Sequence, residues 1–363
     1  MGSLSSLETL HCLFFSTFAF MRITFLIDNL PHPTLPLLTE HGLSLYIETD
    51  DFISGTSTSS VTEKETRILC DMGASGAYIK NAKALGIDLN ACHWAFLSHA
   101  HADHTGGLGK WIAQYGHIPV YASHRIATLQ CYSSRPKRVE AQRSQVASQR
   151  FNDSAIQHSR SELRYIGTDL NLFHGHTPWF KPIEQSQWLT PTIAMVFPTC
   201  NNYPTPLGNK YLYTDESTNR RIGDVLTTKG NNRLTPNSSL LTPNFLSSGT
   251  VRDDFSHEIA LAFVTEKGLV VVSSCSHKGA LNTIQSCMEF TGCNALHAYI
   301  GGLHFVDSPQ VEAETTSFIG DWLTLYPNAY LYTGHCTCPR AAAMFKAHLP
   351  HCHTFYTGNV VEI

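Results

Sequence analysis

The sequence predicts an α/β fold, and three observations carry the prediction. Short runs of β-branched and apolar residues recur as strand signals, segments of helical character separate several of them, and one pair of runs is spaced as a hairpin. In order, the strand runs are 23–27, 43–47 with Leu43, Leu45 and Ile47 alternating, 67–70, 95–97 and 118–121, then 259–264, 269–272, 298–300 and 330–332. Helices are expected at 77–85, 108–115, 280–290, 311–325 and 340–348. The runs 259–264 and 269–272 flank Thr265, Glu266, Lys267 and Gly268, a connection short enough for an antiparallel hairpin.

Composition narrows the function class. At 363 residues and 42% hydrophobic content the chain can bury a full core. With 25 basic against 29 acidic residues, its formal charge of -4 gives no electrostatic case for nucleic acid or an anionic membrane surface. A small molecule is therefore the expected partner, and a homo-oligomeric state is left open. Eleven cysteines without framework spacing fit reduced thiols in a cytoplasmic protein. Twenty histidines invite a search for metal-site spacing.

Residues 1–20 contain an apolar run at 12–20, but the first basic residue, Arg22, lies after it, and the run is too short to span a bilayer. They are expected to be an extension outside the fold, with 21–363 a single domain. Two polar stretches, about 133–164 and 201–250, read as loops or insertions.

The stretch LSHAHADHTGGL, residues 97–108, sets His99, His101, Asp103 and His104 close together directly after the 95–97 run. Side chains two apart in an extended segment leave the same side of the chain, so His99 and His101 can grip one ion together. Asp103 and His104 follow in the turn, where the backbone curls toward a helix that Thr105 is placed to cap, and can face a second ion. Gly106 and Gly107 let the backbone approach the site without Cβ clashes. By chance such a cluster has odds of roughly a few in a thousand in a chain of this composition, so it reads as a cradle for two metals.

The chain here resembles the metallo-β-lactamase-fold hydrolase superfamily, whose mark is this motif at the end of a strand. The resemblance implies a four-layer αββα sandwich. It also implies a role for Asp71 in LCDMGASG, which matches the superfamily's earlier Asp-x-Gly motif, where the aspartate orients the metal-site loop without binding metal itself. Three later histidines stand after strand-like runs beside small residues: His277 in VVVSSCSHKGALN, His304 in YIGGLHF and His335 in YTGHCTCPRA. Each alone would be an ordinary polar residue; with the first motif they become candidate ligands.

The wording of these segments narrows the resemblance to the 7,8-dihydropterin-6-methyl-4-(β-D-ribofuranosyl)-aminobenzene-5'-phosphate synthases and their relatives. That group shows Ser-His-x-His-x-Asp-His-Thr-Gly-Gly-Leu, Cys-Ser-His-x-Gly, Ile-Gly-Gly-x-His and His-Cys-Thr, all legible here, and NAKALGIDL at 81–89 is similar to its lead-in. Similarity covers about 21–125 and 255–345. Ser274 and Cys338 stand where the group usually has glycine. Many superfamily members bridge their ions with a late aspartate, but Cys275, Ser276 and His277 stand where it is expected. The bridging group is therefore open among Asp253, Asp254, Glu258 and Asp103 alone.

Imidazole and carboxylate donors suit two divalent ions, zinc first, with iron or manganese as alternatives. Cys275, Cys336 and Cys338 are read as packing residues beside the ligands. The expected chemistry is that of a hydrolase or transferase in which metal-bound hydroxide acts on a phosphorylated small molecule. Asp103 would orient it, and Lys278 or the backbone amides of Gly301 and Gly302 would receive an anionic group. The branch implies a transferase that condenses a pterin diphosphate with an aminobenzene ribotide, and Trp179, Phe180 and Trp188 either stack a flat ring or pack the core. The alternatives are a non-catalytic metal- or ligand-binding sensor, a nuclease, disfavoured because no basic stripe appears outside 135–150, and a di-iron protein, disfavoured because those relatives carry Glu where His101 stands.

Overall fold

The computed structural model describes residues 20–53, 62–135, 163–215 and 250–363. Two seven-stranded sheets dominate. The first runs in the order Val360–Glu362, Met21–Ile27, Ser44–Ile53, Thr62–Cys70, Trp94–Leu97, Val120–Ser123, Phe180–Ile183. The second runs Cys352–Thr354, Tyr330–Thr333, Leu296–Ile300, Gly268–Val272, Ala260–Thr265, Ile193–Val196, Gln187–Trp188.

Side-chain alternation shows how the sheets are layered. In the second sheet Ile193, Met195, Leu261, Phe263, Val270 and Val272 join Ile23, Phe25, Leu45, Ile47 and Phe96 of the first in one buried cluster, the core between the sheets. The intervening Ala194, Ala262, Leu269 and Val271 turn the other way and pack under the helices Ala280–Thr291, Val311–Leu325 and Pro339–His348. On the far side, Leu69, Ala95, Leu97, Val120 and Ala122 are covered by Ala77–Ala84 and Leu108–Tyr115. Strands buried on both faces read as continuous apolar runs, which is why VVV and ALAFV stand out in the sequence. The result is helix, sheet, sheet, helix: the four-layer αββα sandwich.

The hairpin between Ala260–Thr265 and Gly268–Val272 forms in antiparallel register. Several strands extend beyond their sequence signal: the 43–47 run continues to Ile53, the 67–70 run begins at Thr62, and the 118–121 run is shifted to Val120–Ser123. Part of the polar stretch 201–250 is ordered structure rather than loop. Leu212–Asp215 pairs with Cys131–Ser133 and Thr250–Arg252 in a small four-stranded sheet completed by Arg164–Tyr165. The rest of both polar stretches, 136–162 and 216–249, and residues 1–19 lie outside the described residues. Among the described residues no helix is long and apolar enough to cross a membrane.

Parallel pairing decides where chemistry can gather. Thr62–Cys70, Trp94–Leu97 and Val120–Ser123 are mutually parallel neighbours, as are Gly268–Val272, Leu296–Ile300 and Tyr330–Thr333. Their carboxyl ends therefore share an edge in each sheet, and Asp71, His99, His277, His304 and His335 all follow such ends.

Candidate metal centre

The chain leaves these strands under strain. Among the described residues, five non-glycine positions hold left-handed backbone: Asp71 (φ 59°), Phe255 (51°), Ser276 (56°), His304 (52°) and His335 (49°). Each is one of the candidate residues, or adjoins or stacks on one; Phe255 lies flat against His277 with ring centroids 4.5 Å apart. Left-handed backbone costs a non-glycine residue about 1–2 kcal/mol, so five together mark a place where geometry is held against local preference.

The first group is His99, His101 and His277, whose ligand atoms lie within 4.8 Å of one another. Ser98 Oγ donates to Asp71 Oδ2 at 2.7 Å, so it accepts from His99 Nδ1 at 2.8 Å, which leaves the His99 Nε2 lone pair facing inward. Asn209 does the same for His277: its Oδ1 accepts from Nδ1 at 3.1 Å while its Nδ2 donates to the His277 carbonyl at 2.7 Å. The Nε2 atoms of His99, His101 and His277 are buried, and each lacks a hydrogen-bond partner among the described residues. Burial pulls all three imidazoles below their ordinary range, His101 to about 4, so they are neutral and able to ligate at neutral pH. Orphaned, neutral and convergent donors fit a divalent metal ion.

The second group is Asp103, His104 and His335, with the exposed His41 beside it. Asp103 Oδ2 lies 3.8 Å from His104 Nε2, 3.5 Å from His335 Nε2 and 3.4 Å from His41 Nε2. His104 and His335 meet Nε2 to Nε2 at 3.0 Å. His104 is fixed from behind by Nδ1 donating to Asp71 Oδ2 at 2.7 Å. His335 is fixed through its backbone: its N donates to Asp28 Oδ1 at 2.9 Å, and Asn29 Nδ2 donates to its carbonyl at 2.7 Å. Burial opposes charge on both Asp103 and His104, but their mutual attraction wins. Asp103 is held well below the usual carboxylate range by His104, His335 and His41, and His104 is held up to about 9 by Asp103 and Asp71.

The remaining candidates are placed as follows. His304 packs its ring 4.2 Å from His277, and Arg135 Nη2 donates to its Nε2 at 2.9 Å, which puts the ring proton on Nδ1. Glu258 accepts from the backbone N of His277 and of Lys278, both at 2.8 Å, so it holds the His277 loop from outside. Asp253 accepts from His257 Nε2 at 3.2 Å and stands 4.0 Å from His101 Nε2, whereas Asp254 is exposed and binds Ser256. Lys278 Nζ donates to the Asp254 carbonyl at 3.2 Å. The amides of Gly301 and Gly302 are already spent on the Tyr332 and Ser274 carbonyls, so they cannot receive a substrate anion. Thr105 does not cap a following helix: it ends the short helix Ala102–Thr105 and its hydroxyl donates back to the His101 carbonyl at 3.1 Å. Cys275 Sγ approaches His104 Nε2 at 3.1 Å. Trp179 and Phe180 pack with Phe173 in the outer layer, and Trp188 lies on an edge strand against Phe290.

Sequence reasoning missed Asp28, His41, Arg135, Asn209 and His257. Asp28 ends the run MRITFLID just as Asp71 ends TRILCD, and that likeness was the available signal for it. For Arg135 and Asn209 no local signal exists, because both lie in polar stretches read as loops.

Residues 54–140 match the family described as Metallo-beta-lactamase superfamily. Over 95 residues, 26% of this chain, the sequence is 38% identical to the 7,8-dihydropterin-6-methyl-4-(beta-D-ribofuranosyl)-aminobenzene-5'-phosphate synthase of Methanocaldococcus jannaschii. The match spans 31% of that relative's length. Among solved structures, a metal-dependent hydrolase of the beta-lactamase superfamily superposes with a TM-score of 0.62 at 23% identity, covering 94% of this chain and 99% of that one.

Proposed function

The chain has the fold of the metallo-β-lactamase superfamily, and from that premise we propose that it is a metal-dependent hydrolase or transferase acting on a phosphorylated small molecule. The observation that carries the proposal is the convergence of three buried, partnerless Nε2 atoms beside the Asp103, His104 and His335 group. His99, His101 and His277 would hold one divalent ion and Asp103, His104 and His335 a second. Zinc suits these donors best, with iron or manganese as alternatives. Such a pair, when bound, lowers the pKa of water toward about 7 and polarises a phosphoryl oxygen.

The protein's own contribution is positioning. Asp71 and Ser98 fix the tautomers of His99 and His104, Asn209 that of His277, and Asp28 the backbone of His335. Asp103, kept ionised by the surrounding imidazoles, is placed to accept a hydrogen bond from the attacking group and so orient it. The phosphorylated substrate is inferred from the synthase relative, whose name specifies a 5'-phosphate, and with it the option of a synthase, a transferase that joins a dihydropterin to an aminobenzene ribotide.

Elemental analysis of the purified protein, followed by a panel of phosphoester, lactone and thioester substrates plus the pterin condensation, tests this reading. Close to two metal ions per chain and turnover of a phosphorylated substrate are expected, with His101→Ala losing metal and activity together. A His101→Ala protein that keeps both overturns it.

A further inference from the structure

We propose that Arg135, set against His304, is the receptor for the anionic group of the substrate, a phosphate or diphosphate; this rests on the phosphorylated-substrate reading above. Arg135 follows the strand Cys131–Ser133 of the small sheet and is half-buried, with its guanidinium against His304. One Nη2 serves the His304 Nε2 at 2.9 Å and the Gly208 carbonyl at 3.4 Å, the second contact at the long limit of a hydrogen bond. Its Nε is buried and has no partner among the described residues.

Among the described arginines that reach no carboxylate, Arg164 and Arg252 are exposed, whereas Arg135 is half-buried with a buried, unpartnered Nε. Arg22, Arg67, Arg125 and Arg340 each reach a carboxylate, Glu362, Glu65, Asp254 and Asp307 respectively. Arg135 is paired with no carboxylate of the described residues; its neighbours are a neutral imidazole, a carbonyl and the Tyr211 ring, 5.8 Å from the guanidinium carbon. A half-buried cation without an anion is under-compensated, and a planar fork with spare donors matches phosphate oxygens in pairs. The exposed Lys210 lies over the same Tyr211 ring at 5.2 Å, adding a second positive group to this rim.

Position makes the site useful. His304 is in ring contact with His277, which in turn lies 5.0 Å from His99 and 4.8 Å from His101 between ring centroids. An anion held by Arg135 is thus one imidazole away from the first metal group, the reach of a phosphate or diphosphate. On this view His304 is a positioning residue: with its Nε2 accepting from Arg135, it aims the guanidinium.

Titration of inorganic phosphate and of inorganic pyrophosphate into the full-length protein, metal-free and metal-loaded, tests the proposal. The metal-free wild type should bind one anion per chain, and the tighter of the two anions identifies a monoester or a diphosphate substrate. Arg135→Met should weaken that binding by about tenfold or more while metal content stays at the wild-type value. Arg135→Lys, which keeps charge without the fork, should weaken it about several-fold. Equal affinity in wild type and Arg135→Met overturns the proposal. Loss of metal together with the anion also overturns it, since Arg135 would then act only through His304 on the metal ligands. If Arg135→Met fails to fold, Arg135→Lys decides, and wild-type affinity there is the overturning result. A chain that takes up no metal yet shows Arg135-dependent anion binding would instead sink the metalloenzyme reading and leave the anion receptor standing.

Discussion

At the scale of single residues, Asp71 carries the most consequence. Its fully buried carboxylate accepts from the Ser98 N at 2.8 Å, the Ser98 hydroxyl at 2.7 Å and His104 Nδ1 at 2.7 Å, so one side chain orients members of both ligand groups. Asp71→Ala strands the buried His104 and Ser98 donors and puts alanine at φ 59°. We expect metal affinity to fall about 10–100-fold, and stability about 3–5 kcal/mol, with Asp71→Asn milder because asparagine tolerates left-handed backbone; metal titration and urea unfolding measure both. His104 yields a pH prediction. Its folded pKa, raised to about 9 from an ordinary 6.5, means that the metal-free protein binds a proton the unfolded chain releases. That stabilisation is fully present below about 6.5 and is lost as pH rises through about 9. The melting temperature of chelator-treated protein should fall over this window. Metal uptake near pH 7.5 should release close to one proton, because the ion replaces it, and calorimetry in buffers of different ionisation enthalpy detects it.

Among the elements, the loops that follow the strands owe their shape to close backbone contacts. Gly301, at φ 149°, has no room for a Cβ, which would collide with the Ser273 carbonyl oxygen, and one on Gly107 would collide with the carbonyl oxygens of Met72 and Ser75. Gly301→Ala should therefore prevent folding or cost several times the ~1 kcal/mol of an ordinary glycine replacement. Gly86→Ala, at φ 75° with open space around it, should stay near that ordinary figure; urea denaturation separates the two. Such elements differ in how legible they were. Strands buried on both faces announce themselves by apolar runs, and the helices Leu108–Tyr115 and Val311–Leu325 fall where their sequence places them. Cys131–Ser133, Arg164–Tyr165 and Gln187–Trp188, two or three residues long, are too short to show a period, and Leu212–Asp215 is hidden in polar sequence. The histidines were legible because strand ends repeat one local pattern. Asn209 and Arg135 were not, because each meets its partner across 68 or 169 positions of chain, a relation that only the fold creates; Asp28 carried a strand-end signal, but its partner His335 lies 307 positions away.

For the whole molecule, the candidate metal centre lies on the seam between two halves. His99, His101, Asp103 and His104 leave the first sheet, while His277 and His335 leave the second, so each proposed ion takes ligands from both. Protein contacts across this seam include Asp28 reaching His335, and Asp28 is a buried carboxyl pushed up to about 6 by burial, so that link alone is a costly one at neutral pH. Its sign is opposite to the usual carboxylate: a folded pKa above the ordinary 3.8 favours folding at low pH and weakens it as pH rises from about 4 to about 6. Metal binding should therefore add cohesion at the strand-end edge, on top of the apolar core that already joins the sheets. An ion that binds only the folded chain stabilises it by about 4 kcal/mol when free metal is a thousand times the dissociation constant, and the unfolding midpoint then depends on metal concentration. Thermal unfolding with excess zinc should give one cooperative transition that moves down on chelation and returns when metal is restored. His335→Ala should remove part of the shift by releasing the second half from one ion. A midpoint indifferent to chelator, in protein shown to have carried metal, would mean that the sheets hold together without the ions and that the ligands merely line a cleft already closed by packing.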